Sequence, residues 1–424
     1  MSDLVLGIDV GTSAVRVAAI DQTGRVAAFA ASAMPAPLRD GTRITQDPAV
    51  WVRGLDDAME RLASAVDLAR ISALAVDGTS GTLVPVDELG RPVAAGSLYN
   101  DSADDAAVGR VASARAAVHG ATSPLARAAR LQRATRVTRI IHQADWIAGQ
   151  FSGRFDISDE SNALKTGYDP VTRAWPEWIE AAGVERGKLP AVVPAGTAIG
   201  EVTAEAACRF GVPARAVVVA GTTDGCAAFL AIGASKPGEA VTSLGSTMVL
   251  KLASEQPLFA PEYGLYSHRI GGMWLAGGAS NTGGAVLAQF FTPEAIRDIS
   301  RRIDPNVTTG LDYYPLPAAG ERFPINDPAL TPRITPRPAD DAVFLHALLE
   351  GIANIEALGY RRLAELGGPQ LTSVATVGGG AANERWGHIR AAVLGVPLRM
   401  PESDEAAVGV ARLALRAIGV RSQL

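Results

Sequence analysis

Short apolar runs alternate with polar turns from the start of the chain. An apolar run at residues 4–8 is followed by a turn at residues 9–13 and by a second run at residues 14–20, which only Arg16 interrupts. Runs of this length bounded by Asp, Gly and Ser are typical of strands. The pattern therefore predicts a β-hairpin.

The same strand–turn–strand pattern occurs twice more. It covers residues 74–86, with a turn at 77–81, and residues 239–252, with a turn at 244–247. The first and third patterns resemble each other, since both turns combine Gly with hydroxyl residues. They indicate two similarly built halves, each beginning with a hairpin.

The remaining pattern alternates strands with helices and predicts an α/β fold with helices on both sheet faces. Further strands are predicted at residues 215–220, before a turn at 221–225, and at residues 373–377. Helices are predicted at residues 49–63, 226–233, 383–394 and 405–418. The Pro-rich stretch 315–340 predicts a long extended segment. We place the boundary near Pro237-Gly238, giving an N-terminal domain at residues 1–237 and a C-terminal domain at residues 238–424.

Composition narrows the class of protein. Hydrophobic residues make up 48% and charged residues 20% of the 424 residues, and the net charge is -5. This balance fits a globular protein, and the absence of a basic stretch argues against nucleic-acid binding. No uncharged apolar stretch approaches the ~18 residues of a membrane span, and the N-terminal sequence leads directly into a strand pattern. We therefore expect a cytoplasmic protein without a membrane partner.

Common nucleotide- and metal-binding motifs are absent from the sequence. There is no Gly-x-x-x-x-Gly-Lys-Ser/Thr loop, no Gly-x-Gly-x-x-Gly after the first strand, and no His-Glu-x-x-His or Cys-x-x-Cys. P-loop nucleotide hydrolases are excluded by this observation. The remaining candidates for chemistry are turns at strand ends.

Two of these turns are suited to bind phosphate, because Gly lets a backbone N–H approach an anion and hydroxyls add donors. The first contains Gly11, Thr12 and Ser13, and the second contains Gly245, Ser246 and Thr247. Ordinary hairpin turns favour the same residue types. Their recurrence in both halves favours phosphate binding.

Two aspartates are candidates for the reacting centre. Asp9 follows the first strand and can hold Mg²⁺ directly or through water, since Mg²⁺ prefers carboxylate oxygens; a turn-forming Asp is the alternative. Asp224 follows the most apolar strand and precedes a helix. It can accept a hydroxyl proton during phosphoryl transfer, and an N-cap role is the compatible alternative.

Three consecutive glycines, Gly378, Gly379 and Gly380, separate a predicted strand from a helix. Bare backbone at this position would let a nucleotide base and ribose lie against it. Close packing of the strand on the helix is the alternative. Close packing alone would not require three consecutive glycines, so we favour nucleotide binding.

Together these motifs resemble the FGGY family of carbohydrate kinases, within the group that shares the actin and hexokinase ATPase fold. The matching stretches extend over nearly the whole chain and lie at residues 7–13, 99–101, 220–224, 243–247, 320–324, 350–353 and 378–381. Each stretch alone is weak, whereas their order and spacing together are specific.

The resemblance implies two ribonuclease-H-like domains with a cleft that binds ATP and sugar. It implies that Asp224 is the catalytic base and that Asp9 organises Mg²⁺. The residues near phosphates or adenosine would be Gly11, Thr12, Ser13, Gly245, Ser246, Thr247, Gly378, Gly379, Gly380 and Asn383. The residues near the sugar would be Asp9, Thr79, Ser80, Asn100, Asp101 and Asp224.

Two departures from the family pattern bear on the substrate. Xylulokinases usually carry Gln-Met-His-Gly where this chain has Gly78-Thr79-Ser80-Gly81, and Asp101 lacks the Arg that often follows at the second position. The sequence is most similar to the compact plant and cyanobacterial D-ribulose kinases, which implies phosphorylation of D-ribulose to D-ribulose 5-phosphate.

Other functions stay open at this point. They are a D-xylulose kinase, a non-catalytic sugar or nucleotide sensor with the same fold, and an actin-like filament protein. The presence of Asp224 argues against the sensor, and polar Gly-rich turns argue against the filament. A homodimer is compatible with the resemblance, although the sequence does not predict the oligomeric state.

Overall fold

The computed structural model of the protein describes residues 3–419, and within them strands alternate with helices as the sequence pattern predicts. In chain order the strands are β1 (Leu4–Val10), β2 (Ala14–Ile20), β3 (Val26–Ala33), β4 (Leu38–Asp40), β5 (Arg43–Gln46), β6 (Ile71–Gly78), β7 (Leu83–Val86), β8 (Gly96–Ser97), β9 (Arg139–His142), β10 (Ile157–Asp159), β11 (Ala191–Val193), β12 (Ala198–Glu201), β13 (Val217–Thr223), β14 (Glu239–Leu244), β15 (Met248–Ser254), β16 (Tyr266–Ile270), β17 (Met273–Ser280), β18 (Ser373–Val377) and β19 (Leu398–Arg399).

The α-helices of the described residues are, in chain order, α1 (Pro48–Ala63), α2 (Ala106–Val111), α3 (Pro124–Leu131), α4 (Gln143–Ser152), α5 (Glu160–Leu164), α6 (Trp178–Ala181), α7 (Ala204–Phe210), α8 (Asp224–Ala231), α9 (Gly284–Leu287), α10 (Pro293–Ser300), α11 (Asp341–Glu365), α12 (Glu384–Leu394) and α13 (Ala406–Ala417). Residues 315–340 contain neither a helix nor a named strand, so the predicted long excursion is present. It is not extended throughout, because backbone hydrogen bonds join Glu321 to Asp327 and Gly320 to Leu330.

Contacts divide the chain into two compact units. The first comprises the described residues up to Gly233, His268–Gly272 and those from Ser403 onward, and the second comprises Ala234–Ser267 and Met273–Glu402. The predicted boundary lies a few residues after the first of these divisions. The last helix, which the sequence assigned to the C-terminal domain, groups with the first unit.

The main sheet of the first unit has the order β12-β13-β6-β1-β2-β3. Strand β6 pairs in parallel with β1 on one side and with β13 on the other, whereas β1 and β2 form the predicted antiparallel hairpin. Helix α13 packs so closely on β1 that a Cβ at Gly7 would lie 1.8 Å from the Ala407 carbonyl oxygen. Helices α1, α4 and α7 cover the opposite face, which confirms a layered α/β arrangement in this unit.

The second strand–turn–strand pattern does not form a hairpin, contrary to the prediction. Strand β7 lies in a different, five-stranded sheet with the order β4-β5-β8-β7-β9. The physical reason is that β6 is paired on both edges, by β1 and β13, and has no edge left for β7. The chain therefore leaves the main sheet after Gly78.

The predicted turn at residues 221–225 is also wrong. Strand β13 continues to Thr223, and helix α8 begins at Asp224 without an intervening loop. Gly221 lies inside the strand because it approaches β6 closely: a Cβ there would lie 1.7 Å from the Val76 carbonyl oxygen. Here glycine marks close backbone approach within a sheet.

The sheet of the second unit contains the strands β17-β15-β14-β18-β19 in that order. Its β14–β15 hairpin confirms the third predicted pattern, and β14 pairs in parallel with β18 as β1 does with β6. Helix α11 is the central helix of the apolar core. Among the described residues it alone is long and apolar enough to cross a membrane, but 83% of its apolar window is buried inside the protein, as in the core helix of a soluble protein.

Candidate functional site

Three neighbouring strands of the first unit carry polar side chains in register at the ends of β1, β6 and β13. Asp77 on β6 is the register partner of Asp9 on β1 and of Thr222 on β13. Side chains of register partners point to the same face of a sheet, so these three residues form a row, called here the polar row. Their exposed fractions are 5% for Asp9 and 0% for Asp77 and Thr222.

The polar row holds more acid than base. Arg16 on β2 is the register partner of Asp9, and its Nη1 donates to Asp9 Oδ2 at 3.0 Å. Burial raises the pKa of Asp9, and Arg16 partly opposes this. Burial and the charges of Asp9 and Asp224 raise the pKa of Asp77 well above its usual range.

Asp224 is the first residue of helix α8, and Thr223 occupies the N-cap position. The N-cap alternative for Asp224 is therefore wrong. The Gly225 N–H donates to Asp224 Oδ1 at 2.6 Å, and the positive end of the helix dipole favours an ionised carboxylate. Its charge acts on both Asp9 and Asp77, which indicates that the predicted base lies beside the polar row.

The loop after β6 is fixed by a glutamine that sequence reasoning missed. Gln143 Oε1 accepts from the Thr79 N–H at 3.1 Å and from the Thr79 hydroxyl at 2.8 Å. Thr79 Oγ1 also lies 2.6 Å from Thr82 Oγ1. Because the backbone N–H can only donate, the amide oxygen of Gln143 must face Thr79, and its Nε2 must point elsewhere. Gln143 carries no motif, and its position directly after strand β9 was the only signal.

Arg127 ties this loop to the segment that contains Asn100 and Asp101. It is completely buried; its Nη2 donates to the Gly81 carbonyl at 2.6 Å, and its Nη1 donates to the Ser97 carbonyl and Oγ at 3.0 and 3.1 Å. Burial lowers the pKa of Arg127 to about 10. Two stretches that the sequence assigned to the sugar are thus brought together by one side chain.

Asp101 has donors on both carboxylate oxygens. Oδ2 accepts from Ser97 Oγ at 2.5 Å and from Arg130, and Oδ1 accepts from the Ile44 N–H and from Arg43 Nε, both at 3.1 Å. Burial alone would raise the pKa of Asp101, but these bonds lower it below its usual value. A carboxylate accepts about four hydrogen bonds, so the predicted contact of Asp101 with sugar has no support from the geometry.

Three polar atoms of this region have no hydrogen-bond partner among the described residues, although they are buried. They are Ser80 Oγ, Asn100 Oδ1 and Gln143 Nε2. Buried polar groups are nearly always paired in folded proteins. A small molecule with several hydroxyl groups would satisfy both the acceptor and the donors.

The second unit contains a cavity of about 910 Å³ beside the predicted nucleotide residues. The predicted residues in its wall are Gly245, Ser246, Gly379, Gly380 and Asn383. Thr247 and Gly378 were predicted too and lie outside the wall. Helices α9 and α10 supply most of an opposite wall that sequence reasoning missed, with Leu287, Phe291, Ile296, Arg297, Ser300 and Arg301.

The three glycines differ in their surroundings. Gly378 has φ +86°, and a Cβ there would lie 2.8 Å from the Leu244 carbonyl oxygen; a Cβ at Gly380 would lie 2.7 Å from Leu244 Cβ and from the Trp386 ring. Packing therefore requires these two glycines. A Cβ at Gly379 would meet no atom within 4 Å, so this position is open on the cavity side.

Asn383 is fixed at the start of helix α12. Its Oδ1 accepts from the Trp386 N–H at 3.1 Å, and its Nδ2 donates to Ser300 Oγ at 2.9 Å. The residue therefore caps the helix and links the two walls of the cavity. Its predicted position beside the nucleotide residues agrees with this geometry.

The turn with Gly11, Thr12 and Ser13 belongs to the first unit, and the turn with Gly245 and Ser246 belongs to the second. Both turns are open to ligands, since Gly11 and Thr12 are half-buried and Ser13 and residues 245–247 are exposed. Within residues 3–419 no group of three or more His, Cys, Asp or Glu side chains is placed to hold a metal ion. A metal site here would therefore rest on one or two carboxylates.

Models of one protein family match most of the chain. The N-terminal domain of the FGGY family of carbohydrate kinases matches residues 4–111 and 127–231, and its C-terminal domain matches residues 240–418. Among curated proteins, an autoinducer-2 kinase of Yersinia enterocolitica is 30% identical over 311 residues, which are 66% of this chain and 57% of that protein. The chain thus spans somewhat more than half the length of the curated relatives that it matches.

Solved structures share the fold. A xyloylose kinase from Brucella ovis superimposes with a TM-score of 0.88 at 25% identity, covering 98% of this chain and 90% of that one. A ligand-bound xylulose kinase from Lactobacillus acidophilus gives a TM-score of 0.84 at 17% identity, covering 99% and 90%. The predicted α/β fold of the actin and hexokinase ATPase type is confirmed by this similarity.

Proposed function

Because the chain belongs to the FGGY family of carbohydrate kinases, we propose that it transfers the γ-phosphoryl group of ATP to a sugar. The proposed acceptor is D-ribulose, and the product is D-ribulose 5-phosphate. The observation that carries the proposal is the set of buried, unpaired polar atoms on Ser80, Asn100 and Gln143. Ser80 and Asn100 belong to the stretches joined by Arg127, and Gln143 is bonded to Thr79 in the first of them. Their donors and acceptor suit the hydroxyl groups of a small sugar.

Asp224 is the proposed base. Its carboxylate accepts the proton of the terminal sugar hydroxyl as that oxygen forms a bond to the γ-phosphorus, and the bond from this phosphorus to the β-phosphate oxygen breaks to leave ADP. The start of helix α8 keeps Asp224 ionised and oriented. Positioning and charge stabilisation supply most of the rate in phosphoryl transfer.

The cavity of the second unit is the proposed adenosine site. Its volume of about 910 Å³ is at the upper end of small-molecule sites, and its wall contains the open backbone at Gly379. Arg297 and Arg301 on the opposite wall offer positive charge to phosphate groups. The exposed turn at residues 245–247 adds backbone and hydroxyl donors beside this wall.

A divalent cation fits the polar row, since carboxylate oxygens are its preferred ligands and two of them, on Asp77, have no donor. Asp9 would hold Mg²⁺ there. When bound, Mg²⁺ would neutralise charge on the ATP phosphates. The bond from Arg16 Nη1 to Asp9 Oδ2 would hold this carboxylate in place.

The replacement Asp224→Asn tests this function. We expect sugar-dependent ADP formation to fall by ~10²–10⁴ because the base is lost, while ATP binding persists. Turnover like that of wild type would exclude Asp224 as the base. A wild-type protein that binds both ligands without turnover would instead be a sensor.

The nucleotide site has a separate test in Gly379→Val. A Cβ at this position would meet no atom within 4 Å, so we expect the fold to tolerate valine and ATP binding to weaken far more than sugar binding. Titration calorimetry with each ligand measures the difference. Unchanged ATP affinity in the folded variant would remove Gly379 from the nucleotide site.

Two other acceptors have specific support. Several similar structures are xylulose kinases, and the curated relative is an autoinducer-2 kinase. Thr79 and Ser80 stand where xylulokinases place a Met-His pair, which favours D-ribulose. A site that hydrogen-bonds a hydroxyl discriminates against a sugar whose hydroxyl points elsewhere, so kinetics with each acceptor separates these candidates.

A further inference from the structure

The proposed reaction assigns Mg²⁺ to Asp9 and gives Asp77 no ligand role of its own. Its side chain is completely buried, and neither carboxylate oxygen accepts a hydrogen bond from any donor of the described residues. A buried carboxylate without a partner is among the most costly groups in a protein. Something other than a protein donor must therefore stabilise it.

The neighbours of Asp77 increase this cost. Asp9 lies in register beside it, close enough for the two carboxyls to share a hydrogen bond, and the negative charge of Asp224 acts on both. Arg16 is bound to Asp9 on the far side of the row. One arginine cannot balance three carboxylates, so a proton or a cation has to lie between Asp9 and Asp77.

Thr222 favours the cation. It is the register partner of Asp77 on the opposite side from Asp9, it is completely buried, and its Oγ1 has no partner among the described residues. A proton shared between two carboxyls would leave this hydroxyl unsatisfied. A hard cation, or water bound to it, accepts carboxylate and hydroxyl oxygens together.

We propose that Asp77 is a second carboxylate ligand for the divalent cation, acting with Asp9, and that Thr222 supplies a hydroxyl to the same site. The inference rests on the proposed function, since this is the cation that would accompany ATP. Mg²⁺ is commonly bound by one or two carboxylates together with water and substrate phosphates. The site therefore needs no third acidic ligand, in agreement with the absence of a larger acidic cluster within residues 3–419.

The test uses Mn²⁺ alone, without nucleotide or sugar. Electron paramagnetic resonance of free Mn²⁺ counts the bound ions in wild type, in Asp77→Asn and in Asp298→Asn, which removes a charge from an exposed aspartate. We expect one saturable site in wild type and in Asp298→Asn, and at least tenfold weaker binding in Asp77→Asn. Thr222→Val should weaken binding by a smaller factor.

Two results would overturn the inference: no saturable Mn²⁺ binding by wild type in the millimolar range, or wild-type affinity in Asp77→Asn. Circular dichroism establishes that each variant is folded. If Asp77→Asn does not fold, Asp77→Ser takes its place, since serine is smaller and uncharged. A parallel assay of ADP formation with ATP and D-ribulose tests the proposed function independently. If the protein forms ADP but its Mn²⁺ binding does not depend on Asp77, only the proposed role of Asp77 is wrong.

Discussion

Two buried aspartates of the same unit stand in opposite surroundings. Asp101 is surrounded by donors, with Ser97, Ile44 and two arginines on its oxygens. Asp77 is equally buried, yet its immediate neighbours are another carboxylate and an unpaired hydroxyl.

This difference distinguishes a carboxylate that stabilises the fold through hydrogen bonds from one whose oxygens are available to a ligand. Asp101 uses all its acceptor positions within the protein and so connects strand β5 to helix α3. Asp77 is buried but accepts no hydrogen bond from a donor of the described residues. Proteins tolerate such a group mainly where function requires it.

The largest effect on stability is expected for Asp101→Asn. The amide keeps the size of the side chain but loses the negative charge and one of the two acceptor oxygens, so it cannot keep the bonds from both Arg43 and Arg130. Because both arginines are partly exposed, we expect a loss of about 1.5–3 kcal/mol in the free energy of unfolding. Urea denaturation measures it, with Asp298→Asn as control. A loss no larger than that of the control would remove Asp101 from the fold-stabilising network.

Acid should abolish that effect. The pKa of Asp101 is lowered in the folded protein, so its contribution to stability is present above the ordinary pKa and is lost as pH falls through the folded value. The difference in the free energy of unfolding between wild type and Asp101→Asn should therefore be large at neutral pH. It should shrink and disappear as the pH falls below about 4. Urea midpoints over this range report it, and a constant difference would mean that charge is not the source.

A smaller effect, on catalysis, is expected for Ser80→Ala. Its Oγ has no hydrogen-bond partner within residues 3–419, so its removal should leave stability nearly unchanged. If the hydroxyl binds sugar, kcat/KM for the preferred pentulose should fall by about tenfold, the value of one hydrogen bond of ~1.4 kcal/mol. Basal ATP hydrolysis is the internal control. An unchanged kcat/KM would mean that Ser80 only shapes the loop.

The smallest effect on stability is expected for Asp77→Asn without divalent cation. In chelator a proton takes the place of the cation between Asp9 and Asp77, and neither oxygen of Asp77 has a donor among the described residues. The change therefore replaces one buried group with another of the same size, and the free energy of unfolding should stay nearly the same. Urea denaturation in chelator measures it beside Asp101→Asn. A loss comparable to that of Asp101→Asn would show that Asp77 supports the fold, and the contrast between the two aspartates would disappear.

Local pattern predicted much of this molecule. The hairpins β1–β2 and β14–β15, the buried strand before Asp224 and the helix after it all follow from apolar runs and turn residues. Strand order could not be predicted in this way. The pairing of β6 between β1 and β13 places Asp77 beside Asp9, prevents a hairpin at residues 74–86 and requires Gly221 inside a strand.

The residues that the sequence missed share one property: their partners are distant in the chain. Gln143 binds Thr79, and Arg127 joins Gly81 to Ser97. Helix α13 covers β1, although nearly the whole chain separates them. The spacing of residues along the sequence does not predict these contacts. The glycines and acidic residues at strand ends could be recognised as site candidates because their immediate neighbours in the sequence are strand residues.

The most direct test of the account is one coupled assay of ADP release with wild-type protein, ATP and Mg²⁺. The acceptors are D-ribulose, D-xylulose, autoinducer-2 and glycerol, and kcat/KM is compared among them. We expect ATP turnover that depends on the acceptor, with D-ribulose the best of the four. A preference for another acceptor would contradict the assignment of the sugar, and no acceptor-dependent ADP release with any sugar would contradict the proposed kinase reaction itself.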